Sequence, residues 1–211
     1  MQAPHDQTAP LRPIAGWLFP VFFLSGAAAL IYQLVWQRAL FAIYGVDTIS
    51  VTIVVTAFML GLGLGSLAGG VVSRRHPRAA VALFAWTELG IGLYGAISLR
   101  IFAAVAESTR GIGHTATGVL AFLLVVFPTV LMGASLPLLI GHAAPRTRNM
   151  GRAIGDLYCV NTLGAACGAF SAAYFLLGEL GLRGTTVVAA ACNCGLGLLV
   201  LMLSRRRGAD A

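Results

Sequence analysis

The sequence predicts an all-α integral membrane protein with six transmembrane helices, and three observations support this prediction. Of the 211 residues, 58% are hydrophobic and only 10% are charged, whereas ordinary soluble domains carry about 25% charged residues. The apolar residues form runs of about 20 residues, the length that a helix needs to cross a bilayer. The breaks between these runs contain glycine, proline or arginine. We therefore expect lipid to surround most of the chain.

The six predicted spans cover nearly the whole chain. Their approximate bounds are 14–36, with the helix extending toward 44, then 49–72, 79–99, 117–142, 153–177 and 184–203. The breaks read YGVDT, SRRHPR, ESTRGIGHT, APRTRNMGR and GELGLRG, which have the composition typical of loops. The organisation is then a cytoplasmic tail over 1–13, a membrane domain over 14–203 and a basic cytoplasmic tail over 204–211. No removable signal peptide is expected at the N-terminus.

The distribution of arginine predicts the orientation, because cytoplasmic loops are enriched in basic residues. Ten arginines fall on one side of the predicted membrane and four on the other. The ten are Arg12, Arg74, Arg75, Arg78, Arg146, Arg148, Arg152, Arg205, Arg206 and Arg207, and the four are Arg38, Arg100, Arg110 and Arg183. We expect the cell (inner) membrane, with both termini cytoplasmic. The net charge of +7 then indicates contact with anionic lipid rather than with nucleic acid.

Two stripes of small residues predict close helix packing. Span two carries Gly61, Gly65 and Gly69 at four-residue spacing, and span five carries Gly164 and Gly168 in the same way. Membrane helices associate through such small residues because their backbones can approach closely. Packing within one chain is the favoured interpretation, and a homodimer interface is the alternative.

The two halves of the chain contain a weak internal repeat. FFLSGAAALI in span one is similar to VLMGASLPLLI in span four, and the glycine stripes of spans two and five correspond. Three spans followed by three spans would have opposite orientations in the membrane, an arrangement found in transporters.

Glu88, in FAWTELGIGLYG, is the strongest candidate for a functional polar residue inside the membrane. Counting from the inner end of its span places it about 13 Å deep, close to the midplane. A charged side chain at the bilayer centre costs about 2.5–3.5 kcal/mol or more, so intramembrane ionisable residues are functional candidates. Two interpretations stay open, a proton or cation site and a structural hydrogen bond or ion pair between helices.

Further polar residues join Glu88 as candidates for binding a substrate or an ion. Gln33 and Gln37 share one face of span one, and Arg38 follows them near the outer end. The alternative for Arg38 is an arginine that reaches to the outer interface. Asn161 lies deeper in span five, where its amide can form a hydrogen bond across helices for about 1 kcal/mol.

An aspartate near the cytoplasmic end of span five predicts a contact between loops. Asp156 lies about one turn inside the span, and Arg152 four residues earlier is a possible local partner. We favour Arg74, Arg75 and Arg78 as its partners, since they lie on the same predicted side. We call this predicted contact the inner-face latch. It either holds span five in place or forms part of a gate.

The sequence predicts no catalytic residue, metal site or cofactor site. The four cysteines lie in apolar runs without metal-ligand spacing, and we interpret them as small buried side chains. Neither a Walker loop nor a nucleophile elbow occurs. GLGLGS at 61–66 has the spacing of a dinucleotide fingerprint but lies in the middle of a predicted span, without a preceding strand.

Several stretches, in order, resemble the transmembrane portion of membrane-bound spermidine synthase-like proteins. They are FFLSGAAALIYQLVWQRALFAIYGVDTIS, AFMLGLGLGSLAGG, LFAWTELGIGLYG, FPTVLMGASLPLL and GDLYCVNTLGAACGAFSAAYFLLGELGLRGT. Proteins of this family fuse a major-facilitator-like membrane part to an aminopropyltransferase domain. The loop GGVVSRRHPRAA also resembles the basic loop after span two of major facilitators, although Ser73 replaces the usual acid and His76-Pro77 the usual glycine.

The resemblance implies a membrane module with the helices of half a major facilitator. The soluble Rossmann-like aminopropyltransferase domain of the family has no counterpart in this sequence, so its catalytic residues cannot be assigned here. One function that follows is a scaffold or partner subunit for a cytoplasmic enzyme. The alternative is a small half-major-facilitator-like transporter of a metabolite or cation, proton-coupled and dimeric. An enzyme in its own right is the least favoured of the three.

Overall fold

A computed structural model describes residues 16–44, 47–109, 111, 114–143 and 150–209, and all its regular structure is helical. Helices α1 to α4 are Leu18–Tyr44, Asp47–Arg75, Ala80–Ser108 and His114–Ala143. Helix α5, Met150–Ser171, continues through the π-helical segment Ala172–Leu176 into α6, Leu177–Ala209. The predicted tail over 1–13, Arg110, Arg146 and Arg148 lie outside the described residues, as do the side chains of Arg205 to Arg207.

Five helices in the described part of the chain are long and apolar enough to cross a membrane. The first four correspond to predicted spans one to four. The fifth is a run of 54 residues, Gly151–Ser204, that contains both of the remaining predicted spans. Within this run Gly181 has non-helical dihedral angles, with φ 64° and ψ −175°. The all-α class is therefore confirmed, whereas the count of six is not.

Several helices are longer than the predicted spans. Helix α1 ends at Tyr44, as its predicted extension requires, while α3 continues to Ser108 rather than ending near 99. The predicted break at GELGLRG is helical except at Gly181. Polar residues show where a helix can leave the hydrocarbon core of the bilayer. The helix can continue past that point because its backbone hydrogen bonds do not depend on the side chains. Helix α4 also continues through Pro128 and Pro137.

The helices pack in specific pairs, with small residues at the contacts. Helix α2 packs along α4, α5 along α1, and α3 against both α4 and α6. Gly61, Gly65 and Gly69 face Thr129, Val130 and Ala134 of α4, respectively. Gly164 and Gly168 face the backbone of α1 at Phe23 and Ala27. Both glycine stripes thus lie at contacts between helices of the same chain.

Large apolar side chains also cover the outside of the bundle. Their exposed fractions reach 61–72%, at Met59, Leu67, Trp86, Leu93, Tyr174 and Met202. Soluble monomers rarely expose such continuous apolar surface. Together with the length of the apolar helices, this surface indicates a membrane protein.

The interior contains two separate hydrophobic clusters. The larger cluster, here called the aromatic cluster, surrounds Tyr32, Trp36, Phe58 and Phe102. The second, here called the basal cluster, surrounds Phe22, Phe84, Leu139 and Leu157. Between the two clusters lie buried polar side chains, including a buried carboxyl group.

Candidate functional site

Glu88 of α3 is fully buried and accepts hydrogen bonds from three other helices. Ser25 Oγ of α1 donates to its Oε1 at 2.8 Å, and Ser135 Oγ of α4 donates to the same oxygen at 3.2 Å. Asn193 Nδ2 of α6 donates to Oε2 at 2.5 Å. A single carboxyl group therefore connects four helices.

These four residues form a polar layer between the two hydrophobic clusters. In α3, Phe84 of the basal cluster precedes Glu88 by one turn, and Ile91 of the aromatic cluster follows it. In the other three helices each polar residue also lies about one turn from a member of each cluster, and the order along the chain is the same in α1 and reversed in α4 and α6. The flanking pairs are Phe22 and Ala28 around Ser25, Met132 and Leu138 around Ser135, and Ala189 and Leu196 around Asn193.

The polar layer and the adjoining aromatic cluster each have one buried polar atom without a hydrogen-bond partner in the described part of the chain. One is Asn193 Oδ1 and the other is Tyr32 Oη, which packs against Gly95 of α3. A Cβ atom at position 95 would overlap the Tyr32 ring, so glycine is required there. A buried polar atom without a partner is costly and rare. The two atoms therefore mark this region as one that is not optimised for stability alone.

The electrostatic environment of Glu88 contains no basic group within the described residues. Its three hydrogen-bond partners are all neutral. Tyr32 and Cys192 are near enough to interact with it electrostatically. Within the described residues Glu88 thus forms no ion pair, and the interpretation as a hydrogen-bonded group between helices describes this geometry. The proton or cation interpretation stays a prediction.

The other candidates from the sequence do not contact Glu88. Gln33 and Gln37 are half-buried on α1, and Arg38 is exposed near the end of that helix. Asn161 of α5 is half-buried, and its backbone and side-chain oxygens lie against Gly26 of α1. The structure thus brings none of these four residues into the polar layer, and their roles in binding stay predictions.

The inner-face latch also stays a prediction. Asp156 Oδ2 lies 4.0 Å from Arg152 Nε, which is the local pair. Arg74, Arg75 and Arg78 are exposed at the end of α2 and in the turn before α3. Helix α5, which carries Asp156, packs mainly along α1.

Sequence reasoning missed three of the four residues in the polar layer. Ser25 and Ser135 lie in the two stretches that form the internal repeat, FFLSGAAALI and VLMGASLPLLI. The two serines were therefore present in the internal repeat, but the repeat served only to predict the topology of the helices. Asn193 lies between two cysteines in CNCG, and nothing in one sequence distinguishes it from any other amide inside a membrane helix.

The hydrogen bonds of the polar layer all converge on one carboxyl group. The serines donate to a carboxyl group, and no hydrogen bond in the described part of the chain joins either of them to an imidazole or an amine. Within the described ranges, no group of three or more His, Cys, Asp or Glu side chains gathers at one point.

The fold and this layer define a class, the multi-helix membrane proteins with a buried carboxyl group inside the bundle. No protein-family model and no solved structure matches the chain. Two curated proteins of Streptomyces coelicolor (strain ATCC BAA-471 / A3(2) / M145) do match. Polyamine aminopropyltransferase 2 is 30% identical over 204 residues, and polyamine aminopropyltransferase 1 is 28% identical over 187 residues.

The two alignments cover nearly all of this chain but a minor part of each relative. They include 93% and 88% of the chain, and 36% and 33% of the respective relatives. The chain is therefore homologous to polyamine aminopropyltransferases and spans about a third of their length. This supports the resemblance to spermidine synthase-like proteins that the sequence motifs indicated.

Proposed function

We propose that the chain is a membrane module of the spermidine synthase-like family that holds an aminopropyltransferase at the cytoplasmic membrane surface. The observation that carries this proposal is the alignment, since 93% of the chain matches only 36% of a relative named polyamine aminopropyltransferase 2. The helices here are apolar and form no soluble α/β domain in the described residues. In this proposal the transferase activity resides outside the helices described here, and this module provides its attachment.

Six membrane crossings fit the helix contacts better than five. Gly168 of α5 packs against Ala27 of α1, and Cys192 Sγ of α6 lies 3.7 Å from the carbonyl oxygen of Leu24. A straight helix, rising 1.5 Å per residue, would separate positions 168 and 192 by about 36 Å. The chain therefore reverses between them. Gly181 is suited to the reversal because its φ of 64° favours glycine.

The contacts also support two inverted halves of three helices each. If α1, α2 and α3 correspond to α4, α5 and α6, respectively, then the α2–α4 contact corresponds to the α5–α1 contact. The α3–α4 contact likewise corresponds to the α6–α1 contact. The α3–α6 contact corresponds to itself. The same correspondence relates Ser25 to Ser135 and Glu88 to Asn193. This is the arrangement expected for half of a major-facilitator-like fold.

We propose that both termini lie in the cytoplasm of the cell, which places Arg75 inside and Arg183 outside. In a variant without native cysteines, Arg183→Cys will react with a membrane-impermeant maleimide added to intact cells, and Arg75→Cys will not. Both positions will react after permeabilisation, which is the control for accessibility. Labelling of Arg75→Cys in intact cells would contradict this orientation.

The cytoplasmic docking surface is the end of α2 and the turn that follows. Arg74, Arg75 and Arg78 are exposed there and give a concentrated positive charge. Such a patch favours a partner with an acidic surface. Complementary charge fixes the relative orientation of two proteins and speeds their association.

Purification from native membranes in mild detergent tests the scaffold role. We expect a soluble aminopropyltransferase to purify with this chain in near-stoichiometric amount. Replacing Arg74 and Arg75 by glutamine will lower its recovery by roughly tenfold, because two charged contacts are lost. Replacing Arg100 and Arg183 by glutamine at the opposite end is the matched control and will leave recovery unchanged. Recovery of the chain alone, with transferase activity only in the soluble fraction, would contradict the proposal.

The polar layer favours a second candidate, a small proton-coupled transporter of a metabolite or cation. A fully buried carboxyl group inside a membrane bundle is costly and typical of ion or proton pathways. If the chain purifies alone, uptake of polyamines and other organic cations into proteoliposomes under a proton gradient decides this alternative. Uptake that survives in Glu88→Gln would exclude Glu88 from the transport mechanism.

A further inference from the structure

The protonation state of Glu88 follows from the groups around it. An ionised carboxylate at this position would be an isolated charge, because no arginine of the described residues reaches it. A buried charge without a counter-ion is far more costly than a buried neutral acid that is hydrogen-bonded. A neutral acid, in contrast, has one hydroxyl to donate and needs one acceptor.

Asn193 supplies that acceptor. Its side chain is 1% exposed, and its Oδ1 has no partner in the described part of the chain. The two ends of an amide are nearly equal in size, so a half turn about Cβ–Cγ exchanges Oδ1 and Nδ2. In the turned orientation, Oδ1 faces Oε2 of Glu88 at the separation now spanned by Nδ2. That separation of 2.5 Å lies at the short end of the range for O–H···O bonds and outside the usual range for N–H···O bonds.

The two serines determine which carboxyl oxygen carries the proton. Both Ser25 and Ser135 donate to Oε1. An oxygen that accepts two hydrogen bonds acts as the carbonyl oxygen of a neutral acid, so the hydroxyl belongs on Oε2. Oε2 is the oxygen that faces Asn193.

We propose that Glu88 and Asn193 form a proton-binding pair whose amide turns with the proton. With the proton bound, Oε2–H donates to Asn193 Oδ1. When the proton leaves, Asn193 turns and Nδ2 donates to the carboxylate. Binding adds one proton to Oε2 and changes no other covalent bond. The proposal does not depend on the aminopropyltransferase association.

The titratable groups that face Glu88 from each neighbouring helix are few. Helix α1 contributes Tyr32, and α6 contributes Cys192 with Cys194 beyond it, near Tyr32. Helix α4 has no titratable side chain between its two terminal histidines. On α3 itself the nearest is Tyr94, whose hydroxyl donates to the Leu124 carbonyl oxygen at 2.7 Å. None of these groups is basic.

The proton is the ligand that fits this site, because its residues contact one another directly. Two cavities of about 310 and 560 Å³ occur elsewhere, near Arg183 at the other end of α3 and α6. Neither is lined by Glu88 or Asn193. An organic ammonium ion would have to separate the four helices before it could reach the carboxyl group.

Infrared spectroscopy of the full chain reconstituted in liposomes tests the proposal without relying on any variant. Glu88, Glu107 and Glu179 are the glutamates of the sequence, so glutamate labelled with carbon-13 at the side-chain carboxyl reports three sites. At neutral pH we expect one labelled C=O band of a protonated acid that shifts in deuterated water. Glu107 and Glu179 are exposed and will contribute carboxylate bands. As pH is raised, the protonated band will disappear reversibly.

Variants assign the band and its partner. Glu88→Gln will abolish it, and Asn193→Leu will move it to higher frequency because the hydroxyl loses its acceptor. Thr162→Ala, on the exposed side of α5, is the control and will leave the band unchanged. Absence of a labelled protonated band at both neutral and acidic pH would overturn the proposal. If Asn193→Leu leaves the frequency of the band unchanged, the pairing of Glu88 with Asn193 is overturned. If adding sodium at constant pH removes the band, the proton is not the ligand.

Discussion

Replacing Gly65 by leucine will prevent recovery of a monodisperse protein, whereas the same change at Gly63 will be tolerated. A Cβ atom at position 65 would overlap the carbonyl oxygen of Val130 and lie 2.8 Å from its carbon. Backbone atoms cannot move aside as a side chain does, so α2 and α4 must separate. At Gly63, two residues away on the same helix, a Cβ would meet nothing within 4 Å.

The smaller change Gly65→Ala gives a measurable version of this effect. Forcing one methyl group into a packed contact costs about 1–3 kcal/mol, while alanine at an exposed helical position gains up to about 1 kcal/mol over glycine. We therefore expect a lower Tm for Gly65→Ala and an equal or higher Tm for Gly63→Ala. Size-exclusion chromatography after graded heating in detergent measures both. Equal Tm values for the two variants would contradict the packing of α2 on α4.

Truncating Trp36 to alanine will destabilise the bundle by about 3–5 kcal/mol, the usual cost of removing a large buried aromatic ring. Trp36 is fully buried, and its ring centroid lies 5.2 Å from that of Tyr32 and 5.9 Å from that of Phe58. Its Nε1 also donates to Ser98 Oγ at 3.0 Å, joining α1 to α3. The cost arises from lost packing, since lipid is as apolar as the protein interior.

Trp86→Ala is the matched control for this prediction. Trp86 is 63% exposed on the outside of α3. Removing its side chain therefore loses few contacts within the protein and will change Tm little. Trp36→Phe should lie between the two, because it keeps most of the ring and loses the hydrogen bond, which is worth about 1 kcal/mol. Thermal stability measured by intrinsic fluorescence orders the three variants. A Trp86→Ala protein as unstable as Trp36→Ala would contradict the assignment of the aromatic cluster as the core.

The sequence predicted the positions of the apolar helices well, but it did not predict which side chains from different helices contact one another. Apolar runs identified the helices, and the depth of Glu88 in its span singled out that residue. Its partners Ser25, Ser135 and Asn193 come from three other helices, and their register depends on packing that one sequence does not encode locally. Asn161 has the same residue type as Asn193 and a similar setting, yet the structure places it against Gly26, apart from Glu88.

The boundary between α5 and α6 was difficult to predict for a related reason. The stretch GELGLRG has the composition of a loop, but only Gly181 departs from helical geometry. A glycine that interrupts a helix and a glycine that packs within one look alike in sequence. Gly164 and Gly181 differ in what surrounds them, the first facing Phe23 and the second facing nothing within 4 Å.

The π-helical segment Ala172–Leu176 has a consequence for the outer surface of the protein. Successive side chains of an α-helix turn by about 100°, so residues five apart point to different sides. A π turn is wider, with hydrogen bonds between residues five apart. Here the Phe170 ring lies 4.6 Å from that of Tyr174 and 6.0 Å from that of Phe175. The extra residue thus brings Phe175 beside Phe170, and with Tyr174 the three exposed rings form one outward-facing aromatic ridge. Its tyrosine is a residue type that is enriched where membrane helices meet water.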